Sequence, residues 1–548
     1  MSETTAAEPA RKGVLAWIER TGNKLPDPVF IFFYLIGGLI VISLLAALAG
    51  WSALHPTEVD EATGAPTVIA AQSLLSAENI RRLWVEMPTT FTHFHPLGYV
   101  LVVMLGAGVA ERSGLFGTAM RAGVRNAPKF LLTPIVALVA MIGNLAADAA
   151  YVVLIPLAGV IYAAAGRHPI AGIAAAFAGV SGGFSANLLP GQLDALLFGI
   201  TQAAAEAIVP TWTPNIAGNW YFIMAMTFVF LPVIWYVTDR IIEPRLGRYV
   251  AEGQAAVSAG AAPAGDAPLA EGEAEDPNAP LTDRQKKGLR RAGLAALAIV
   301  ALWVFFTVGP GTPLMDPDAP PEGRLTPFYR SLVAGFFILF LATAWAYGKA
   351  AGSINDHRDV VRMMSQSMGD LAYYLVLAFA AAHFVAMFNW SNLGLITAVH
   401  GAHGLEQLAL PAPILLGLIV LFSATLNLFV GSASAKWALM APVLVPMLML
   451  LGISAETTTA AYRVGDSATN IITPLMVYFP LILIFCQRWQ KDFGLGSLAA
   501  MMLPYSLWLL ASGTALMMIW VGLDLPLGPN APVGYVIPAG TTVPAAAP

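Results

Sequence analysis

From Val29 to Ala49 the chain runs 21 residues without a charged side chain. About 20 apolar residues in helical form cross the hydrocarbon of a bilayer. Inside that hydrocarbon every backbone N–H and C=O needs a partner within the protein, which leaves helices and closed barrels as the spanning forms. The run is continuously apolar rather than alternating, so it specifies a helix. Similar runs fall near residues 94–111, 219–241, 292–309, 331–348, 369–389 and 498–522. With 57% hydrophobic and 11% charged residues, against about 25% charged in soluble domains, the chain reads as an all-α polytopic membrane protein. A net charge of −5 argues against nucleic acid as a partner. The first apolar run lacks a small-residue cleavage site, so it is expected to remain as an inserted helix. The expected location is a bacterial inner membrane, with lipid bilayer around the helices.

Lys and Arg in short loops mark the cytoplasmic side. They gather at Arg11, Lys12, Arg20 and Lys24, at Arg112, Arg121, Arg125 and Lys129, and at Arg240, Arg245, Arg248, Lys286, Lys287, Arg290 and Arg291. Placing these clusters inside gives a cytoplasmic N-terminus (1–27), a cytoplasmic linker (244–290) and a C-terminus outside. The linker is acidic and rich in Ala, Gly and Pro. It has too few large apolar residues to bury a core, and reads as flexible. Residues 51–93 read as an outer loop and 524–548 as a Pro/Ala-rich tail.

Two regions break the rhythm, and they resemble each other. The first contains "MIGNLAADAAYVVLIPLAG" followed by "GVSGGFSANLLPGQLD"; the second contains "LFVGSASAKWALMAPVLVP" followed by "RVGDSATNIITPLMVY". Paired Gly/Pro-interrupted segments in corresponding positions point to transporter repeats with a site at their interface. The arms Phe130–Ile142 and Ile414–Leu426 are 13 residues each, short of a full span. Re-entrant hairpins are therefore expected at 129–166 and 411–452, followed by broken helices at 168–207 and 456–487. The count is nine transmembrane helices plus two re-entrant hairpins in an inverted repeat. The repeats are 28–243 and 331–523, joined by a helix at 291–310.

Non-helical backbone at membrane depth is tolerated inside protein or beside a watery cavity. The breaks are accordingly expected to meet around a hydrated pocket near the midplane. Asn144, Asn187 and Asn470 supply oxygens able to replace a hydration shell. With the carboxylates Asp194 and Asp466 they form the candidate ion-coupling set, for Na⁺ or H⁺. No cofactor is expected, and no metal beyond that Na⁺. Charges inside spans are functional by default. Arg463 and Asp466 are three apart, on one helix face, and read as an acid–guanidinium couple; the competing account is a pair that only locks the fold. Asp148 and Lys436 sit at the hairpin tips, either wet or paired. Trp437 is placed to stack on an aromatic ring or to anchor at the interface. His383 reads as a core histidine. No "GxxxxGK[ST]" stretch is present, so ATP is not the expected power source.

The stretches "AAYRVGDSATNIITPLMVYFPLIL" and "GNLAADAAYVVLIPLAG" resemble signatures of the AbgT family, the p-aminobenzoyl-glutamate transporters, and the resemblance runs over about residues 12–523. It implies nine spans and two hairpins in a homodimer. It also implies a small-molecule substrate, either p-aminobenzoyl-glutamate for import or sulfonamide antimetabolites for export. Roles on the substrate path follow for Asn427, Ser434, Trp437, Arg463, Asp466 and Pro474, with Asp194 as a carboxylate beside them. Ala455 stands where many relatives are expected to carry proline, and Val477 likewise departs from some. p-Aminobenzoyl-glutamate offers two carboxylates to a guanidinium and one ring for stacking.

The reading is a secondary active transporter rather than an enzyme. A Na⁺-coupled dicarboxylate carrier is the nearest alternative and would need less aromatic contact. An intramembrane aspartyl enzyme is tested against "YRVGD". There Arg463 occupies the first Gly position of a GxGD pattern, and a guanidinium so close would hold the acid ionised when an acid pair must share a proton.

Overall fold

The structure is a computed structural model that describes residues 27–59, 66–125, 128–146, 150–247, 280–308, 311–318, 324–473, 476 and 478–537. The segment 1–26, most of the linker (248–279), the tail beyond 537, and Asp148, Pro474 and Val477 lie outside the described residues.

Helices start where the sequence supplies caps. Pro28–Leu48 follows Asp27, whose carboxylate accepts the Val29 N–H at 2.8 Å. Pro28 itself fits the first turn, where an N–H has no helical partner. Asp283–Thr307 opens on a reciprocal box. The Gln285 N–H donates to Thr282 Oγ1 at 3.2 Å, and the Thr282 N–H donates to Gln285 Oε1 at 2.9 Å.

Among the described residues eight helices are long and apolar enough to cross a membrane: Val29–Leu48, Ala77–Arg112, Trp220–Leu246, Asp283–Thr307, Thr326–Ala351, Ala372–Trp390, Ala433–Leu450 and Leu495–Gly522. Seven coincide with the apolar runs of the sequence. The other, Ala433–Leu450, is the second arm of the second interrupted region and carries Pro442 and Pro446 inside it. Shorter apolar helices are Leu132–Gly143, Ala150–Ala164, Pro169–Gly182 and Ala412–Asn427. The two polar stretches are interrupted. Pro169–Phe177 passes into the π-helical turn Ala178–Gly182, and helix resumes only at Gln192–Ala205. Ala455–Thr469 likewise stops well before Phe479–Gln487.

Two segments depart from the sequence reading. The outer loop contains an antiparallel pair of strands, Ser52–Val59 and Pro66–Ala70, with Ala53 opposite Ile69 and Leu54 opposite Val68. The β-branched run Thr67–Val68–Ile69 favours this pleat. It also contains the helix Ala77–Thr92, capped by Ser76, whose side chain accepts the Asn79 N–H at 3.2 Å. The tail, read only as Pro/Ala-rich, folds back on the core as far as residue 537. Val533 O accepts the Ser454 N–H at 2.9 Å, Leu527 O accepts the Phe222 N–H at 3.0 Å, and the Tyr535 N–H donates to Gly452 O at 2.8 Å. Its prolines hide this, because backbone pairing leaves no periodic side-chain signal.

Apolar packing forms two large clusters. One joins Leu132–Gly143, Ile155–Ala164 and Pro169–Phe177 to Ala412–Asn427 and Leu495–Gly522. The other joins Pro28–Leu48, Gln192–Ala205, Ala372–Trp390 and Ala433–Leu450. The helix Ala455–Thr469 feeds both, through Ala460, Ala461, Val464 and Ala468 on one side and Ala455 and Tyr462 on the other. All 15 of its residues are buried. A helix this polar and this enclosed must find an internal partner for each hydroxyl and charge. Close approach is part of the solution: a Cβ on Gly465 would lie 2.2 Å from Val420 O and 2.7 Å from Ala424 N. Small residues let membrane helices approach in this way.

Candidate functional site

The helix Gln192–Ala205 begins after Gly191, and Asp194 in its first turn folds back so that Oδ2 accepts the Gly191 N–H at 2.7 Å. A helix N-terminus is a favourable place for a carboxylate. The other oxygen, Oδ1, accepts from Arg463 Nη1 at 2.6 Å, with the two side chains 5% and 2% exposed. The sequence halves are thus joined by a buried ion pair whose members are 269 residues apart.

This corrects the expected couple. Arg463 pairs with Asp194, not with Asp466 on its own helix, and Asp466 Oδ1 instead accepts from Lys436 Nζ at 2.5 Å. Spacing of three puts Arg463 and Asp466 on one face, but it cannot say which neighbouring element supplies an opposite charge. Four charges buried together settle as two cross-helix pairs, because each lone charge would be costly. Lys436, left open by the sequence as wet or paired, is paired and fully buried.

Asn427 is the hub of the second half. Its Nδ2, with two hydrogens to give, lies 2.7 Å from Asp466 O, 2.9 Å from Thr469 Oγ1 and 2.8 Å from Asn470 Oδ1, while its Oδ1 accepts from Lys436 Nζ. The end of the arm Ala412–Asn427 is thereby tied to the last turn of Ala455–Thr469. Trp437 is fully buried and stacks on Tyr462, with ring centroids 4.5 Å apart and planes at 26°. Its Nε1–H donates to Thr201 Oγ1 at 3.0 Å, so it is a core group and not an interfacial anchor. The Tyr462 hydroxyl donates to Ala433 O at 2.6 Å and lies 3.4 Å from Asp466 Oδ1. Thr201 and Thr459 hydroxyls meet at 2.8 Å. The sequence reading passed over Tyr462, Thr201 and Thr459. Tyr462 adjoins Arg463 in the quoted stretch, whereas Thr201 sits in an ordinary apolar helix and carries no signal of its own.

The first-half asparagines hydrogen-bond to backbone groups. Asn144 Nδ2 donates to Gly183 O at 3.3 Å, and Asn187 Nδ2 donates to Met141 O at 3.2 Å while its Oδ1 accepts the Leu188 N–H at 2.8 Å. Both pin the end of Leu132–Gly143 to the break that follows Gly182. The two interrupted stretches touch directly, since the Ser185 N–H donates to Ser467 Oγ at 3.0 Å. Among the described residues Asn144 Oδ1, Ser185 Oγ and Arg463 Nε are buried without a hydrogen-bond partner. His383 is buried, its Nδ1 2.7 Å from Phe379 O.

Side chains from both breaks pack closely among the described residues. Ser434, which contacts Ser432 Oγ at 3.3 Å, borders a space of about 10 Å³ together with Phe94, Tyr374 and Leu377, about enough for one water. The stacked rings of Trp437 and Tyr462 lie beside the Lys436–Asp466 pair. A cavity of about 730 Å³ lies elsewhere, lined by Arg112, Thr118, Arg121, Arg284 and Tyr347 among others, and includes none of the site residues above. Among the described residues no group of three or more His, Cys, Asp or Glu side chains gathers to hold a metal.

Comparison with known proteins places this arrangement. The model of the AbgT putative transporter family matches residues 13–535. The p-aminobenzoyl-glutamate transport protein of Escherichia coli (strain K12) is 35% identical over 532 residues, covering 97% of this chain and 99% of that protein. Among solved structures, the Alcanivorax borkumensis YdaH transporter is 41% identical with a TM-score of 0.81, covering 92% of this chain and all of that one. Neisseria gonorrhoeae MtrF, whose structure is described as illuminating a class of antimetabolite efflux pumps, is 42% identical with a TM-score of 0.85. That match covers 94% of this chain and all of the other.

Proposed function

Because the chain belongs to the AbgT putative transporter family, we propose that it moves p-aminobenzoyl-glutamate or related p-aminobenzoate-like compounds, sulfonamides included, across a bacterial inner membrane by secondary active transport. Its relatives are transporters and not enzymes. The observation that carries the proposal is the Arg463–Asp194 pair, which spans the two halves at the meeting point of both interrupted helices. A substrate carboxylate entering between the halves competes with Asp194 for the guanidinium and so couples binding to separation of the halves. Trp437 and Tyr462, already stacked, offer faces for an aniline ring once the site opens.

In this reading the protein has nine spans and two re-entrant hairpins in an inverted repeat, works as a homodimer, and keeps its N-terminus cytoplasmic and its C-terminus outside. Asp194 and Asp466 carry the coupling to an H⁺ or Na⁺ gradient, with Asn144, Asn187 and Asn470 as oxygen donors. The aromatic pair in the site disfavours a simple dicarboxylate carrier. The aspartyl-enzyme alternative fares worse, since Asp194 and Asp466 pair with different cations, Arg463 and Lys436.

Flux in proteoliposomes tests the proposal, with p-aminobenzoyl-glutamate and a sulfonamide as separate substrates under imposed Na⁺ and H⁺ gradients. Gradient-dependent movement of either compound, lost in Arg463→Ala, is expected. A folded protein that moves neither compound under any gradient ends the proposal.

A further inference from the structure

The cavity of about 730 Å³ is lined by three arginines, Arg112, Arg121 and Arg284, and by no carboxylate among the described residues. Arg284 is exposed and Arg121 half-buried, while Thr118 and Tyr347, whose hydroxyls meet at 2.6 Å, are buried. The cavity thus runs inward from the surface. The nearby acids lie outside its lining: Asp370 pairs with Arg112 and is 65% exposed, and Asp283 pairs with Lys286 at 3.3 Å. Thr282, which caps the helix Asp283–Thr307, stands at its edge, and a helix N-terminus favours an anion. One wall is apolar, with Val153 and Leu157 from the helix Ala150–Ala164.

We propose that this cavity binds a phosphate group, carried by an anionic phospholipid or present as free phosphate. Three like charges around one space repel unless an anion lies among them, and guanidinium forks match phosphate oxygens. The apolar wall suits the glycerol end of a lipid, and basic pockets between membrane helices take lipid headgroups. Arg112 ends Ala77–Arg112, Arg121 lies in Leu115–Arg125, Arg284 opens Asp283–Thr307 and Tyr347 belongs to Thr326–Ala351. A bound phosphate therefore ties four helices together and stabilises the fold. The cavity shares no residue with the Arg463–Asp194 and Lys436–Asp466 pairs, so the proposal stands apart from the transport reading.

The test is thermal stability of the purified full chain with two probes. One is inorganic phosphate against chloride at equal ionic strength in detergent. The other is a rising share of phosphatidylglycerol in phosphatidylcholine nanodiscs. Wild type is expected to gain a saturable stabilisation from at least one probe. Mass action makes it about a tenfold shift in the unfolding equilibrium once the probe is about ten times its Kd. Phosphate also stabilises folds in general by exclusion from their surface, so the response is compared between variants, each against its own baseline. Arg284→Gln is expected to lose most of it. Arg290→Gln, which removes an exposed charge from the same helix outside the cavity, is expected to keep it. Should Arg284→Gln fail to fold, Arg121→Gln takes its place. An Arg284-dependent response to phosphatidylglycerol alone makes the ligand a lipid, and one that inorganic phosphate also elicits extends the site to the free anion. A wild type indifferent to both probes overturns the proposal, as does an equal response in Arg284→Gln and Arg290→Gln.

Discussion

Replacing Arg463 with methionine keeps much of the side-chain volume and removes the charge. The guanidinium is 2% exposed, and Asp194, 5% exposed, would keep only the Gly191 N–H as a partner. Breaking a buried pair by removing one member costs about 3–5 kcal/mol, roughly 150- to 5000-fold in the folding equilibrium, because the remaining charge stays buried and uncompensated. The second pair, Lys436–Asp466, does not relieve it, since Lys436 is held by Asn427 and Asp466. Asp194→Asn added to Arg463→Met removes the stranded charge and is expected to recover most of the loss. Chemical unfolding of the detergent-solubilised protein, followed by tryptophan fluorescence, closes the double-mutant cycle. A coupling of several kcal/mol is expected. A coupling under about 0.5 kcal/mol, the level found for independent sites, would refute the idea that this pair binds the halves together. Uptake separates stability from function: the double variant is expected to be stable yet inactive, and normal uptake in it would remove Arg463 from the substrate path.

Trp437→Phe keeps the stack on Tyr462 but loses the donor to Thr201. It is expected to cost about 1 kcal/mol, whereas Trp437→Ala opens a cavity and costs about 3–5 kcal/mol; unfolding midpoints read both. Gly465→Ala drives a methyl into the backbone of Ala412–Asn427, 2.2 Å from Val420 O. It is expected to reach the upper end of the roughly 1–3 kcal/mol cost of overpacking, and wild-type stability in this variant would contradict the packing described. Truncation after Leu523 removes Leu527 O, Val533 O and the Tyr535 N–H from their partners at Phe222, Ser454 and Gly452. A lower melting temperature is expected, and an unchanged one would show that the tail contributes nothing to the fold.

Apolar runs revealed most of the long helices because a bilayer leaves so little choice: a charge-free stretch of that length has one way to satisfy its backbone. The same pressure made the polar stretches legible as places where helices stop, since Gly, Pro and Asn accumulate where backbone must turn inside protein. The strand pair Ser52–Val59 with Pro66–Ala70 went unread because its register depends on a partner strand and not on a local repeat. The docked tail went unread for the same reason.

At the site the division is sharper. The residues themselves announced Asp194, Arg463 and Asp466 as out of place in an apolar chain, since a rare charge in a span is conspicuous wherever it points, whereas the roles of Asn427 and Trp437 were implied by the family resemblance. Their pairing was decided in three dimensions. A spacing of three on Ala455–Thr469 suggested that Arg463 would serve Asp466, yet the approach of Gln192–Ala205 gave it Asp194, and the tip before Trp437 brought Lys436 to Asp466. The sequence alone thus determined which groups needed partners, because that follows from the cost of placing each one away from water. Only the tertiary structure decided which partner each received, because that depends on how elements 269 residues apart pack together.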